Sequence, residues 1–274
     1  MDGFVPERGC EAQTEFIYCC GAVTELLKFG SCVPGCRLLF LIIPGESGSA
    51  EDGDVFGLSG QVEHKLAFIR THVPRGTTLV LVGHSIGCYI ILEIMKRSPD
   101  LKVMKSIMLF PTIERMAQTP QGRLLTPVLC YFRYLAYLPV FLLSLVPEGL
   151  KAWAWLINLG LLLVCHDSRV SIIIIMPPLL CAANAMYMAG QEMEKVFERD
   201  NGTIRRHLGK LIFYYGATDH WCPAQYYYDI RKAFPHGDLR LCERGFRHAF
   251  VLDAGSDIAR MVVQWIRADL RTYD

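Results

Sequence analysis

Two textures of apolar residues alternate along the chain. Arg37-Leu-Leu-Phe-Leu-Ile-Ile-Pro-Gly45 is an unbroken apolar run ended by Pro-Gly, the pattern of a buried strand that stops at a turn. Thr77–Val82, Lys105–Phe110 and Lys210–Tyr215 read the same way, and Asp238–Cys242 supplies a further short strand. Between them lie segments with helical spacing. Leu58 to His72 places Val62, Leu66, Ala67 and Phe68 on one side with charges between them. A second helix runs from the Gly83–Gly87 turn through about Lys96, closed by Ser98-Pro99, and a terminal one covers about Asp257 to Leu270. Thr14 to Gly30 reads as two short strands around Cys20-Gly21, and the small, acidic stretch Glu46–Asp54 reads as loop. Strands alternating with helices, the strands apolar on both faces, predict an α/β fold: a mostly parallel sheet with helices on both faces.

Composition narrows the picture. The chain has 274 residues, 52% hydrophobic and 20% charged, with 28 Lys+Arg against 27 Asp+Glu. That suits one large domain, or one domain with an insertion, whose core needs no disulfide or metal staple. It excludes disorder, and the balanced charge leaves no surplus to neutralise phosphates, so nucleic acid is not an expected partner. Mean hydropathy is high, at +0.26, and the excess is local. Tyr134–Pro147, Ala152–His166 and Val170–Gly190 carry no charge. The first two are short for a membrane span, Pro177-Pro178 interrupts the third, and a span over Ala152–Pro178 would bury Asp167 and Arg169. Residues 126–190 are therefore expected to form an insertion of short apolar helices, a cap that meets a lipid or membrane surface, with a buried lid or a true span as the alternatives. Residues 1–125 and 191–274 make the core. The eleven cysteines are odd in number, and the N-terminal stretch lacks a signal-like apolar region, so a reducing, cytosol-facing protein is expected. Cys19-Cys20 and Cys32-x3-Cys36 lack the second pair that a zinc site would need, and neither metal nor cofactor is expected.

One motif carries chemistry. Gly83-His84-Ser85-Ile86-Gly87 fits Gly-x-Ser-x-Gly and stands between a buried strand and a helix, the strand–turn–helix setting of a nucleophile elbow. A serine needs a base, and the base needs an orienting acid. In this arrangement the chain order is serine, acid, histidine. Asp219 lies in the loop beyond the strand ending at Gly216, and His248 lies after the next strand and before the terminal helix. Other histidines fit less well: His64 and His72 precede the serine, His84 adjoins it, His166 sits in the apolar insertion, His207 precedes the acid, and His236 occupies a Pro-His-Gly turn. His220 is too near Asp219 in sequence to be oriented by it. Ser85, Asp219 and His248 are the expected nucleophile, orienting acid and base.

Five segments together resemble the lipid droplet-associated hydrolase family: Ile-Ile-Pro-Gly before the loop, Gly-His-Ser-Ile-Gly, Leu-Phe-Pro-Thr-Ile-Glu-Arg-Met (109–116), Gly-Gln-Glu-Met (190–193) and Thr-Asp-His-Trp-Cys-Pro (218–223). The resemblance covers nearly the whole chain. It implies an α/β-hydrolase fold, a location on lipid droplets and the cytosolic face of the endoplasmic reticulum, and serine esterase action on neutral lipid, with cholesteryl ester as the implied substrate. Ser85, Asp219 and His248 fall on the triad positions. The chain departs from the family in one place. Where the family continues from Pro-Gly into a helix and a further strand, Gly45 passes through Glu46–Asp54 almost directly to the helix before the elbow. One strand–helix unit is missing. The resemblance assigns one oxyanion donor to the backbone N–H of Ile86 and the second to the loop after the third strand, where Glu46 brings a negative charge. The missing unit should let Arg37–Ile43 pair with Thr78–Val82 and leave the strands of Thr14–Gly30 to move onto the third strand or fray. It also gives weight to a lipid-binding protein with impaired catalysis, and an acyltransferase would use the same triad.

Overall fold

The computed structural model describes residues 13–19, 22–29, 37–43, 49–50, 57–132 and 179–271. In chain order its strands are β1 (Gln13–Cys19), β2 (Ala22–Lys28), β3 (Leu38–Ile43), β4 (Ser49–Ala50), β5 (Thr78–His84), β6 (Val103–Leu109), β7 (Leu211–Gly216) and β8 (Asp238–Cys242). The apolar runs form one parallel sheet in the order β3-β5-β6-β7-β8. β3 pairs directly with β5, Leu39 opposite Leu79 and Ile43 opposite Gly83, the pairing expected of Arg37–Ile43 and Thr78–Val82. Every residue of β7 is buried, which an inner strand achieves only when both faces of its sheet are covered.

The covering helices follow from the sequence. α1 (Leu58–His72) buries Leu58, Val62, Leu66 and Ile69, a stripe at helical spacing, and ends just before Pro74, which disfavours helical geometry in the residue ahead of it. α2 (Ile86–Arg97) is apolar almost all round, with Ile90, Ile91 and Ile94 fully buried. Lys96 and Arg97 stand in its last turn, where cations suit the helix dipole. α3 (Pro120–Thr126) is capped by Thr119, whose hydroxyl accepts from the N–H of Gly122 at 2.9 Å, and has proline at its first position. α4 (Leu179–Lys195) begins directly after Pro177-Pro178, and its Met188 and Met193 join the same core as Ile90 and Phe213. α5 (Asn201–His207), α6 (Ala224–Ala233) and α7 (Gly255–Leu270) complete the helices, α7 burying Ile258, Val262 and Ile266 at successive i, i+4 positions.

The N-terminal strands correct the expectation made for them. They neither move onto β3 nor fray. β1 and β2 form an antiparallel hairpin, Phe16 opposite Glu25 and Cys19 opposite Ala22, and β2 gains a second partner in β4, with Val23 opposite Ser49. Part of Glu46–Asp54, expected as loop, is therefore strand. The physical reason is that β2's outer backbone groups need partners, and a two-residue segment is enough to supply them. This small sheet is separate from the large one. It buries Cys19 and Thr24, and Thr24 Oγ1 bonds His64 Nε2 of α1 at 2.7 Å. Its other face leaves Phe16, Tyr18 and Leu27 exposed. The expected apolar cap falls mostly outside the described residues, which lack 133–178. Among the described residues no helix is long and apolar enough to cross a membrane.

Candidate active site

The turn between β5 and α2 holds Ser85 at φ 55°, ψ −123°, a backbone conformation that costs a non-glycine residue about 1–3 kcal/mol. Three backbone bonds hold it there. The N–H of Ser85 donates to Leu109 O at 3.0 Å, and its carbonyl accepts from Cys88 N at 3.1 Å and Thr112 N at 3.3 Å. Gly83 makes the turn possible, since a Cβ there would lie 2.8 Å from Ile91 Cδ1 and 2.9 Å from the backbone nitrogen of Cys88.

At the carboxyl end of β7 the chain turns through Gly216 to Asp219, whose side chain is buried. The carboxylate is fully engaged. Oδ1 accepts the N–H groups of Trp221 at 2.7 Å and Cys222 at 3.3 Å; Oδ2 accepts the Cys222 thiol at 3.0 Å and His248 Nδ1 at 2.6 Å. Burial pushes this carboxyl up, but the hydrogen bonds from His248, Cys222 and Trp221 outweigh it and hold Asp219 below the ordinary carboxylate range. An ionised carboxylate only accepts, so His248 carries its proton on Nδ1 and presents a bare Nε2. That nitrogen lies 2.9 Å from Ser85 Oγ. The structure thus brings together Ser85, Asp219 and His248 from the ends of three different strands. His220, set aside as too near Asp219 in sequence to be oriented by it, is exposed.

Ile86 is the first residue of α2, where backbone N–H groups have no partner within the helix. Glu46 lies outside the described residues. Three neighbours of the triad were missed from sequence. Thr112, buried, sets its hydroxyl 3.4 Å from Ser85 Oγ. Cys222 bonds the acid, and the turn Asp219-x-x-Cys222 is the signal that could have revealed it. His84 bonds the carbonyl of His248 at 2.8 Å. Asp219, Cys222 and His248 also gather three metal-ligand atoms within 4.8 Å of one another. They suit a metal poorly. Burial, and then Asp219, hold the Cys222 thiol protonated, and each candidate ligand atom is already in a hydrogen bond. A surface cavity of about 290 Å³ is lined by Glu114, Arg115, Gln118, Phe197 and Arg199. None of these belongs to the triad, and Arg199 is spent on Glu114 at 2.6 Å.

Known proteins resemble the chain in sequence and in fold. A family model described as lipid-droplet associated hydrolase matches residues 40–251. A chicken (Gallus gallus) protein named lipid droplet-associated hydrolase is 46% identical, the match covering 97% of this chain and 98% of that one. The human protein of the same name is 41% identical over 93% and 95%. The chicken alignment runs over 320 residues, more than the 274 of this chain, so the relative carries internal residues that this chain lacks. Among solved structures, a serine hydrolase from Cycloclasticus zankles superposes with a TM-score of 0.61 at 12% identity, covering 94% of this chain and 98% of that one. At that identity the likeness shows the α/β-hydrolase fold alone.

Proposed function

The chain belongs to the lipid-droplet associated hydrolase family, and on that premise we propose that it is a serine ester hydrolase acting on neutral lipid, cholesteryl ester among its substrates, through a Ser85–His248–Asp219 triad. Its expected place is the surface of lipid droplets and the cytosolic face of the endoplasmic reticulum, held there by the charge-free stretches between Tyr134 and Gly190. In the first step Ser85 Oγ attacks the ester carbonyl carbon and His248 Nε2 takes its proton. Asp219 stabilises the imidazolium that results and keeps its ring oriented. The carbonyl oxygen, now an anion, sits against the N–H of Ile86. The tetrahedral intermediate collapses, the alcohol leaves with the proton from His248, and Ser85 keeps the acyl group. Water then repeats the sequence, its proton passing to His248, and the fatty acid departs as the Ser85 hydroxyl is restored.

One observation carries the reading: the unbroken relay from Asp219 Oδ2 through His248 to Ser85 Oγ, at 2.6 and 2.9 Å, on a strained elbow. The test is turnover of emulsified cholesteryl oleate and of a short-chain nitrophenyl ester by the purified chain and by Ser85→Ala. Wild-type turnover that falls by about 10³-fold or more in the variant supports it. Equal turnover in both contradicts it. The shorter length relative to the chicken protein favours a second reading, a droplet-binding protein with weakened catalysis, and that reading expects droplet binding without turnover in the wild type.

A further inference from the structure

His84 fills the open position of the Gly-x-Ser-x-Gly motif, and the mechanism above gives it no task. It is the last residue of β5, next to the nucleophile, yet its ring reaches a segment 164 residues away in sequence: Nε2 lies 2.8 Å from the carbonyl oxygen of His248. A carbonyl only accepts, so the imidazole carries its proton on Nε2 and leaves Nδ1 bare. The ring is held on several sides. Phe250 meets it edge-on at 4.8 Å, Phe110 at 6.4 Å, and the His248 imidazole tilts against it at 5.1 Å. Burial first, then the neighbouring His248, push its pKa down to about 4. It is therefore neutral near pH 7 and adds no positive charge beside the imidazolium that forms on His248. The base itself sits on a loop between β8 and the short turn Phe250–Leu252, outside any long helix or strand. Val251 and Leu252 there are exposed, and the Arg247–Asp253 ion pair ties the loop only to itself.

We propose that His84 is a positioning residue for catalysis: its Nε2–H pins the backbone of His248 to the strand that carries the nucleophile, and so sets the reach of the catalytic imidazole to Ser85. The inference rests on the triad reading given above. Misplacing a catalytic group by about 1 Å can cost on the order of 10²-fold in rate, and this bond is a direct tie between the two elements that must stay in register.

The experiment uses the purified full chain and an alkyl fluorophosphonate, which reacts with an activated serine, and separates the maximal inactivation rate from the half-saturating concentration. His84→Phe keeps an aromatic ring and removes the donor. His84→Gln places an amide N–H near the position of Nε2, and His84→Asn is too short to reach. The expected result is a maximal rate lower by about 10–100-fold in His84→Phe and His84→Asn, with half-saturation unchanged, and recovery of most of the rate in His84→Gln. A role in packing alone would instead favour the ring-keeping Phe variant over Gln. Should the Phe variant not fold, the Gln and Asn pair decides, since equal rates for those two overturn the proposal. Wild-type rates in all three variants also overturn it. Ser85→Ala, run alongside, separates the two claims. If it is silent while the His84 variants react like wild type, this inference alone fails; if it is labelled as strongly as wild type, the triad reading fails and takes this one with it.

Discussion

The large parallel sheet and the small N-terminal sheet differ in how they are held, and the difference locates the chemistry. β7 is buried at all six positions, and β5 buries Leu79, Val80 and Leu81 between covering helices. β1 buries only Cys19 of its seven residues, and β3, at the edge of the large sheet, leaves Ile42 71% exposed. Ser85, Asp219 and His248 all follow strands of the inner and far part of the large sheet, β5, β7 and β8. Ser85 and Asp219 are therefore mounted on inner strands fixed by packing on both faces, whereas His248 follows β8, the far edge strand, where only Cys242 is buried. The nucleophile, base and acid stand in register on the large sheet, while the N-terminal strands pair among themselves in a separate one.

Three substitutions test that contrast. The larger effect is expected at the elbow. Gly83→Ala puts a Cβ within 2.8 Å of Ile91 Cδ1 and 2.9 Å of backbone atoms, so β5 and α2 must move apart. A loss of about 1–3 kcal/mol in urea unfolding should come with fluorophosphonate labelling slowed by more than tenfold. Wild-type stability and labelling would show that the turn is not as tight as its geometry says.

The smaller effect is expected at the N-terminal sheet. Thr24→Val removes the bond to His64 and should cost about 1 kcal/mol. Amide exchange in 13–28 should quicken, while labelling of Ser85 stays at the wild-type rate; slowed labelling would mean that the two sheets are not independent. The same clasp has a pH signature. Burial, and then Lys65, hold the His64 pKa below its ordinary value near 6.5. The fold thus favours neutral His64. Its contribution is complete above about pH 6.5 and is lost as pH falls from there towards the lowered folded value. His84 and His207 are shifted in the same direction, so the difference between wild type and His64→Gln isolates this residue. Wild type should lose more stability than His64→Gln on going from pH 7 to pH 5.

Much of this was legible in the residues, for identifiable reasons. Continuous apolar runs located β5, β6 and β7 to within two residues, because an inner strand covered on both faces keeps a long apolar run; the edge strands β3 and β8 were also placed, although β3 exposes Phe40 and Ile42 and β8 buries only Cys242. α1 matched over Leu58–His72, since its stripe is regular and Pro74 follows it. The elbow was readable because its glycines sit between a buried strand and an apolar helix. What escaped depends on contacts far apart in the chain. β4 is two residues in an acidic, glycine-rich segment, and only its pairing with Ala22 and Val23 makes it strand. Thr112 comes within 3.4 Å of Ser85 Oγ through the sharp turn after β6, where Phe110 takes a φ of 48°. No local pattern announces that turn. His84 looked like a filler of the motif, and its partner lies 164 residues away.

If His248 removes the proton of Ser85, then Ser85 is a nucleophile only while that imidazole is present. The most direct measurement is the rate constant for covalent labelling of Ser85 by a fluorophosphonate in the wild-type chain and in His248→Ala, with the labelled residue identified by peptide mass. Modification is expected at Ser85 in the wild type, with a rate lower by about 10³-fold or more in the variant. Equal rates, or a label on another residue, would contradict it.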